Sequence, residues 1–429
     1  PSLNGGKVNL DGADLLRAIL MTRAAKEKYH GTSATSEVRE FRIRMGMELD
    51  LMNLWFGKTA DYFKQFISDQ TIGMARINRF DFTTLPINLL YLLYYEYRRN
   101  EKESLNFSFF EYGKNSNGNP DDDRWEMYLE LQEMYAILQR WYNDKELYHY
   151  LGFLFFNFKA QTPFRDIYTQ WKTLNSRDKF LKDIQHTIAT RMLDRYLEET
   201  EKAAPDYQKC LKTMTEAISD FRENWYNNDK ELYQILILLD IFRILDSKSI
   251  KKLPTDYFTR KSGQKDGEDK EHILSQTPRK DNGEIATIKT DWEKFAQSED
   301  FKDIRSQMQE ILNHSDAELT EQELTQLQNL LNSAGLNSIG NMVLLDLRIN
   351  RSYGNADYAH KRTIIFQEYM NQKYVRPHTL AVFMKGDIDA REATGIPLNR
   401  WTLEDIKRNT DKIAKEIGKN FNAWLTQNN

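Results

Sequence analysis

The 429-residue sequence holds a single cysteine, Cys210. That excludes an internal disulfide and any zinc site built from cysteines, and it suits a reducing, cytoplasmic setting. Long apolar runs are missing too. The richest, near Leu85 to Tyr95 and Ile235 to Phe242, are too short to span a bilayer, and Asp240 interrupts the second. No membrane partner is expected, and no secretory signal is read at the start. Positive charge is not in excess: 60 lysines and arginines against 64 acidic residues leave a net charge of −4. A generally basic nucleic-acid coat is therefore excluded, and any DNA contact has to be local.

Two motifs lack the residue that would make them work. Gly57-Lys58-Thr59 ends like a phosphate-binding loop, but the glycine required upstream is replaced by Met52, so the stretch reads as a loop or helix junction. Asn115, Asn117, Asn119 and Glu126 fall at calcium-loop offsets, with Pro120 where that loop demands glycine. A surface loop with the acidic tip Asp121-Asp122-Asp123 is expected there. Pro1 is not an initiator methionine, so the first residue seen is expected not to be the first residue made.

What is present is a helical pattern. Apolar residues make up 40% of the chain and charged residues 29%, enough for cores in two or three domains. Leu10, Leu15, Leu16, Ile19 and Leu20 recur at helical spacing behind Asp11 or Asp14 as a cap. From Ser36 to about Asp256, apolar three- and four-residue steps predict helices over Arg39 to Phe56, Leu85 to Arg99, Arg124 to Tyr142, Lys145 to Phe158, Arg177 to Thr200, Tyr207 to Asn227 and Lys230 to Ser247. This is a bundle or an array of hairpins. Its aromatic clusters, Tyr91 to Tyr97 and Tyr148 to Phe158, sit at core spacing rather than as base-stacking platforms. Residues 259 to 270 carry no large apolar side chain and read as a linker or mobile loop. Helical segments near Asp291 to Leu312 and Ala317 to Ser333 follow, with His314 as a helix-end residue. A closing amphipathic helix, Leu403 to Leu425, is expected to be pinned by Trp401 and Trp424.

The chemistry concentrates in two stretches, Glu271-His272-Ile273-Leu274-Ser275-Gln276-Thr277-Pro278 and Ile339-Gly340-Asn341-Met342-Val343-Leu344-Leu345, the latter continuing through Asn350 and Asn355 to Lys361. Hydrolysis of a phosphodiester near neutral pH needs a base that titrates there, which makes His272 the candidate. The charge developing on the phosphate needs a hard cation with oxygen ligands, for which Glu271 and Asn350 are the candidates and Mg2+ or Mn2+ the expected ion. Adjacent side chains on a strand face opposite ways, so Glu271 and His272 can divide these roles where the strand bends or ends. Asn341 would pin the loop carrying His272, and Lys361 would meet a phosphate. Downstream, Lys361, Arg362, Lys373, Arg376 and Lys385 face only Glu368 among acids, a candidate phosphate-tracking surface to which Asn355 also belongs.

The pairing of EHILSQTP with GNMVLL, Asn350, Asn355 and Lys361 resembles the C-terminal nuclease domain of the GmrSD family of modification-dependent restriction enzymes, whose relatives include SspE-like phage-defence proteins. The resemblance implies a catalytic His272, a central Asn341 and a metal-side Asn350. It extends to Glu146 through Leu154 and to Pro377-His378-Thr379. It departs at Ser275, where the family usually has proline, and at Gly267 to Lys270, where the family has an apolar strand. The implied architecture is mainly α: residues 1 to 30 close an N-terminal nucleotide-dependent sensing domain, 31 to 258 form a helical bundle, and 259 to 429 form a small ββα-metal (HNH) domain with a helical insertion at about 285 to 335. The part bearing the family's Asp-Gly-Gln-Gln-Arg motif is not in this sequence, so a nucleotide triphosphate is expected only for that missing domain. The implied partner is DNA, specifically modified phage DNA, with a homo-oligomer possible. Two rivals remain open: a non-catalytic helical interaction module with a degenerate centre, and an RNA-cleaving nuclease of the same type.

Overall fold

The computed structural model describes residues 11–29, 36–99, 104–105, 109–110, 124–248, 252–260, 267–275, 277–278, 284–298, 301–349, 358–385 and 400–427. The chain is mainly α, and it divides into two compact units, residues 1–181 and 182–429.

The first unit contains α1 (Gly12–Ile19), α2 (Ser36–Phe63), α3 (Asp69–Ile77), α4 (Asn88–Arg98), α5 (Arg124–Asn143), α6 (Lys145–Phe158) and α7 (Phe164–Leu174). Asp11 caps α1 and Asp14 answers its backbone N–H, a reciprocal pair that satisfies two otherwise orphaned donors. Gly57-Lys58-Thr59 does not form a junction: it lies inside α2, whose apolar steps run straight through it. The aromatic clusters are core, with Tyr91, Tyr95, Tyr148, Phe153 and Phe155 all buried. Asp144 caps α6 by accepting from Glu146 and Leu147 N–H, and its carboxylate also holds the Arg177 guanidinium at 2.9 Å. Burial opposes its charge, but Arg177 and the helix N–H groups outweigh burial and hold its pKa below the usual aspartate value.

In the second unit, after α8 (Arg177–Leu193), come α9 (Tyr207–Ser219), α10 (Asp229–Asp246), β1 (Glu268–His272), α11 (Lys289–Ala296), α12 (Arg305–Asn313), α13 (Glu321–Ser333), β2 (Met342–Asp346), α14 (Tyr358–Met370), α15 (Pro377–Met384) and α16 (Leu403–Thr426). His314 caps the C-terminus of α12. Helices α11 to α13 close a core of their own around Trp292, Met308 and Leu327, which is continuous with Val343, Leu345 and Phe383. That continuity ties the segment between the two strands to the strands themselves. At the chain's end Trp401 stacks on Tyr358 at 5.7 Å and Trp424 meets Phe242 edge-on at 5.8 Å, so both tryptophans anchor α16.

β1 corrects the reading of residues 259 to 270 as a linker. Glu268 to His272 pair antiparallel with β2, in the register Glu268 opposite Asp346 and His272 opposite Met342. A strand of four charged residues and a histidine has no apolar reason to form. Its stability comes from counter-charges: Arg376 for Glu268, Arg260 for Asp269, Asp229 for Lys270 and Lys361 for Glu271.

Gly340, just before β2, lies against the backbone of α16. A Cβ there would stand 2.3 Å from Ile406 O and 2.6 Å from Thr410 N, neither of which is the movable end of a side chain. Gly340→Ala is therefore expected to destabilise the protein by about 3 kcal/mol, the upper part of the overpacking range. Denaturant unfolding of the variant beside wild type measures it, and a loss below about 0.5 kcal/mol would contradict this packing.

Candidate active site

β1 ends at His272, and the chain turns away from the sheet there. Asn341 makes that turn rigid. Its Oδ1 accepts from Leu274 N–H at 2.8 Å, and its Nδ2 donates to Leu274 O at 3.0 Å and Leu336 O at 2.8 Å. Ile273 N–H donates to Asn341 O at 2.9 Å, which carries the ladder one step past the strand. The carboxamide is fully buried, so each of these bonds satisfies a group that water does not reach.

His272 is 7% exposed. It stacks on Tyr226, with ring centres 4.8 Å apart and planes 20° from parallel. Its Nε2 lies 2.8 Å from Asn337 Oδ1. Asn337 Nδ2 donates to Asn332 Oδ1 at 2.6 Å, which turns the Asn337 carbonyl toward the ring. Facing a carbonyl, Nε2 has to carry the proton, and in the neutral imidazole the lone pair then sits on Nδ1. Lys270, two residues back on the same face of β1, places its ammonium 4.0 Å above the Tyr226 ring and donates to Tyr226 O.

Glu271 faces the opposite side of the strand. Its Oε1 accepts from Lys361 Nζ at 2.8 Å, and the same ammonium donates to His272 O at 2.7 Å. Lys361, on α14, is fully buried. In this arrangement it braces the end of β1 from below rather than presenting its charge outward. The helix thus lies beneath the strand pair and is tied to it by a buried cation.

Arg376 corrects the phosphate-tracking reading. The guanidinium is buried, clasped by Glu268 through Nε and Nη2 at 2.8 and 2.7 Å, and it donates to Asp240 Oδ2 at 2.7 Å. Asp240 Oδ1 in turn accepts from His378 N–H at 2.8 Å, so the cluster locks β1, α10 and the start of α15 together. Burial pushes the Asp240 carboxyl up to about 6 against the pull of Arg376. Lys385 is also interior: it donates to Asp405 at 3.1 Å, and burial lowers its pKa although Asp405 pulls the other way. Of the remaining cations, Arg362 is half-buried, donating to Phe383 O at 2.9 Å with its guanidinium 4.6 Å over Phe366. Lys373, with 62% of its side chain exposed, pairs with Glu368. The run of positive charge from 361 to 385 is thus largely a set of interior braces, because the segment folds back through the core at Ile365, Val375 and Phe383.

The structure therefore brings Glu271, His272, Asn341 and Lys361 together. Asn350 and Asn355 lie outside the described residues. Among the described residues no group of three or more histidine, cysteine, aspartate or glutamate side chains could hold a metal ion. Sequence reasoning missed Asn337 and Tyr226, both of which touch the imidazole. Neither belongs to a spaced motif, and only the chain's return to β1 gives them a role.

A buried imidazole of set tautomer, at the end of an antiparallel strand pair braced by a helix-borne lysine, defines a histidine-centred site in a mainly helical protein. Residues 215–416, somewhat under half of the chain and all within the second unit, match the family model for GmrSD restriction endonucleases, C-terminal domain. The match supports placing the chain with the GmrSD family and supports a nuclease role of restriction-endonuclease type, with DNA as the implied substrate. Searches of curated proteins and of solved structures found no match. No helix among the described residues is long and apolar enough to cross a membrane.

Proposed function

We propose that residues 215–416 form an HNH-type, metal-dependent endonuclease centre of a restriction or anti-phage defence protein acting on modified DNA. The observation that carries the reading is the imidazole of His272, held at the end of β1 with Nε2 2.8 Å from Asn337 Oδ1. In this reading His272 Nδ1 takes the proton from the attacking water as the new O–P bond forms and the bond from phosphorus to the 3′ oxygen breaks, that oxygen taking up a proton from solvent. Asn341 and Lys361 hold the chain on either side of the imidazole so that the base does not swing away. β1, β2 and α14 would be the ββα unit.

The reading carries one Mg2+ or Mn2+, which would offset charge on the phosphate and the departing 3′ oxygen. Glu271 and Asn350 are its candidate ligands. The described donors do not complete a coordination shell, since Glu271 Oε1 accepts from Lys361, and no step is assigned to the ion.

The reading is tested by incubating the protein with modified and unmodified plasmid, with Mg2+ and with chelator. Cleavage confined to the magnesium arm and to modified DNA is expected, whereas no cleavage under any condition would favour a non-catalytic module. Cleavage of RNA alone would move the substrate. A second test addresses Asn337. Asn337→Ala is expected to slow cleavage about 10- to 100-fold, as loss of a residue supporting a site ligand or base does. The 15N shifts of the His272 ring should then report a mixture of tautomers in place of one Nε2-protonated form. Unchanged shifts would sink the assignment of the tautomer to Asn337.

A further inference from the structure

We propose that α2 is a self-association surface, on which a second copy of this chain packs its own α2 antiparallel. Ile43, Met47, Leu51 and Leu54 are 63, 62, 61 and 63% exposed. Their steps of three and four residues keep them on one side of the helix, in a stripe about 16 Å long. The opposite side of the same helix, with Met45, Leu49, Met52 and Phe56, is buried in the first unit. A solvated helix face carries polar residues at these steps, and single exposed apolar residues are ordinary, whereas a continuous line of four marks a contact surface.

The stripe also selects its occupant. Continuing at the same spacing, its N-terminal end is Glu40 and its C-terminal end is Lys58, both exposed and neither with an ion-pair partner among the described residues. Two such helices laid antiparallel about an axis between Met47 and Leu51 bring Glu40 of each copy to Lys58 of the other. Met47 then faces Leu51, and Ile43 faces Leu54. A parallel pair would instead set Glu40 against Glu40. The sequence of the stripe is thus complementary to its own reversal, which is the property a two-fold interface requires. Two stripes of this length bury an area at the low end of protein interfaces, so micromolar association is expected. This proposal is independent of the nuclease reading.

Sedimentation of the 429-residue chain over a wide concentration range should show a monomer–dimer equilibrium. Leu51→Glu should weaken it by tenfold or more, about 1.4 kcal/mol, with unchanged thermal unfolding because the residue is exposed. Glu40→Lys and Lys58→Glu should each weaken association, and the double variant should restore it. Cross-linking fixes the direction: Cys210 is buried, so chains carrying Met47→Cys and Leu51→Cys, mixed and oxidised, should form the mixed disulfide ahead of either self-linked product. A chain that stays monomeric throughout, or a dimer indifferent to Leu51→Glu, overturns the proposal. A monomer that instead binds lipid vesicles through the stripe would assign the face to a membrane surface and overturn it equally.

Discussion

His272→Ala should lose cleavage by about 100- to 10,000-fold, the range expected when a positioned general base is removed. The ring is buried against Tyr226 and bonded to Asn337, so the variant also leaves a cavity, and unfolding must be measured alongside activity. The two effects separate by chemical rescue. Free imidazole can occupy the space and supply the missing base, so part of the rate should return as imidazole is added to His272→Ala. It should not return for His272→Phe, which fills the space without a base. Cleavage by His272→Ala at the wild-type rate would remove the imidazole from the mechanism and return the site to a structural role.

The largest effect on stability is expected at Arg376. Replacing it with methionine leaves Glu268 and Asp240 buried without their counter-charge, a change that typically costs about 3–5 kcal/mol. The loss should depend on pH in a set direction. Burial already pushes Asp240 up to about 6 with Arg376 present, and without the guanidinium only the His378 N–H remains to oppose that push. A carboxyl whose folded-state pKa is raised takes up its proton earlier in the folded than in the unfolded chain, so stability rises as pH falls through the folded value. Arg376→Met should therefore be most damaging near pH 8 and partly recover toward pH 5. Lys373→Met, in the same basic stretch but on the surface, should stay within about 0.5 kcal/mol of wild type. Denaturant unfolding of both variants at the two pH values decides the matter: equal losses, or a loss at Arg376 that grows on acidification, would contradict the buried cluster.

The same contrast shows how far sequence reading reached. Helices with a regular apolar side were legible, and Lys145–Phe158 is bounded in the structure by the residues read from its periodicity. The short helices Asp69–Ile77 and Phe164–Leu174 were not anticipated, since their few turns offer too little repetition to stand out. The end of β1 at Glu271 and His272 was expected on a strand, but Glu268 to Lys270 were read as linker because none of the usual strand signals is present there. Arg376 and Lys385 were taken for surface charges because a cation's residue type carries no record of whether an acid waits for it in the interior.

Composition and periodicity were sufficient for a mainly helical chain with no disulfide, since both depend on residue type and near-neighbour spacing. The residue types at 271, 272, 341 and 361 also sufficed to mark a candidate site. Which charges meet was settled by folding alone: Glu271 with Lys361, Glu268 with Arg376, and the imidazole with Asn337 are pairs made across 65 to 108 positions. An ion pair or hydrogen bond reaches only about 3 Å, so such partners exist once packing has brought distant segments to that distance, and no local pattern records them.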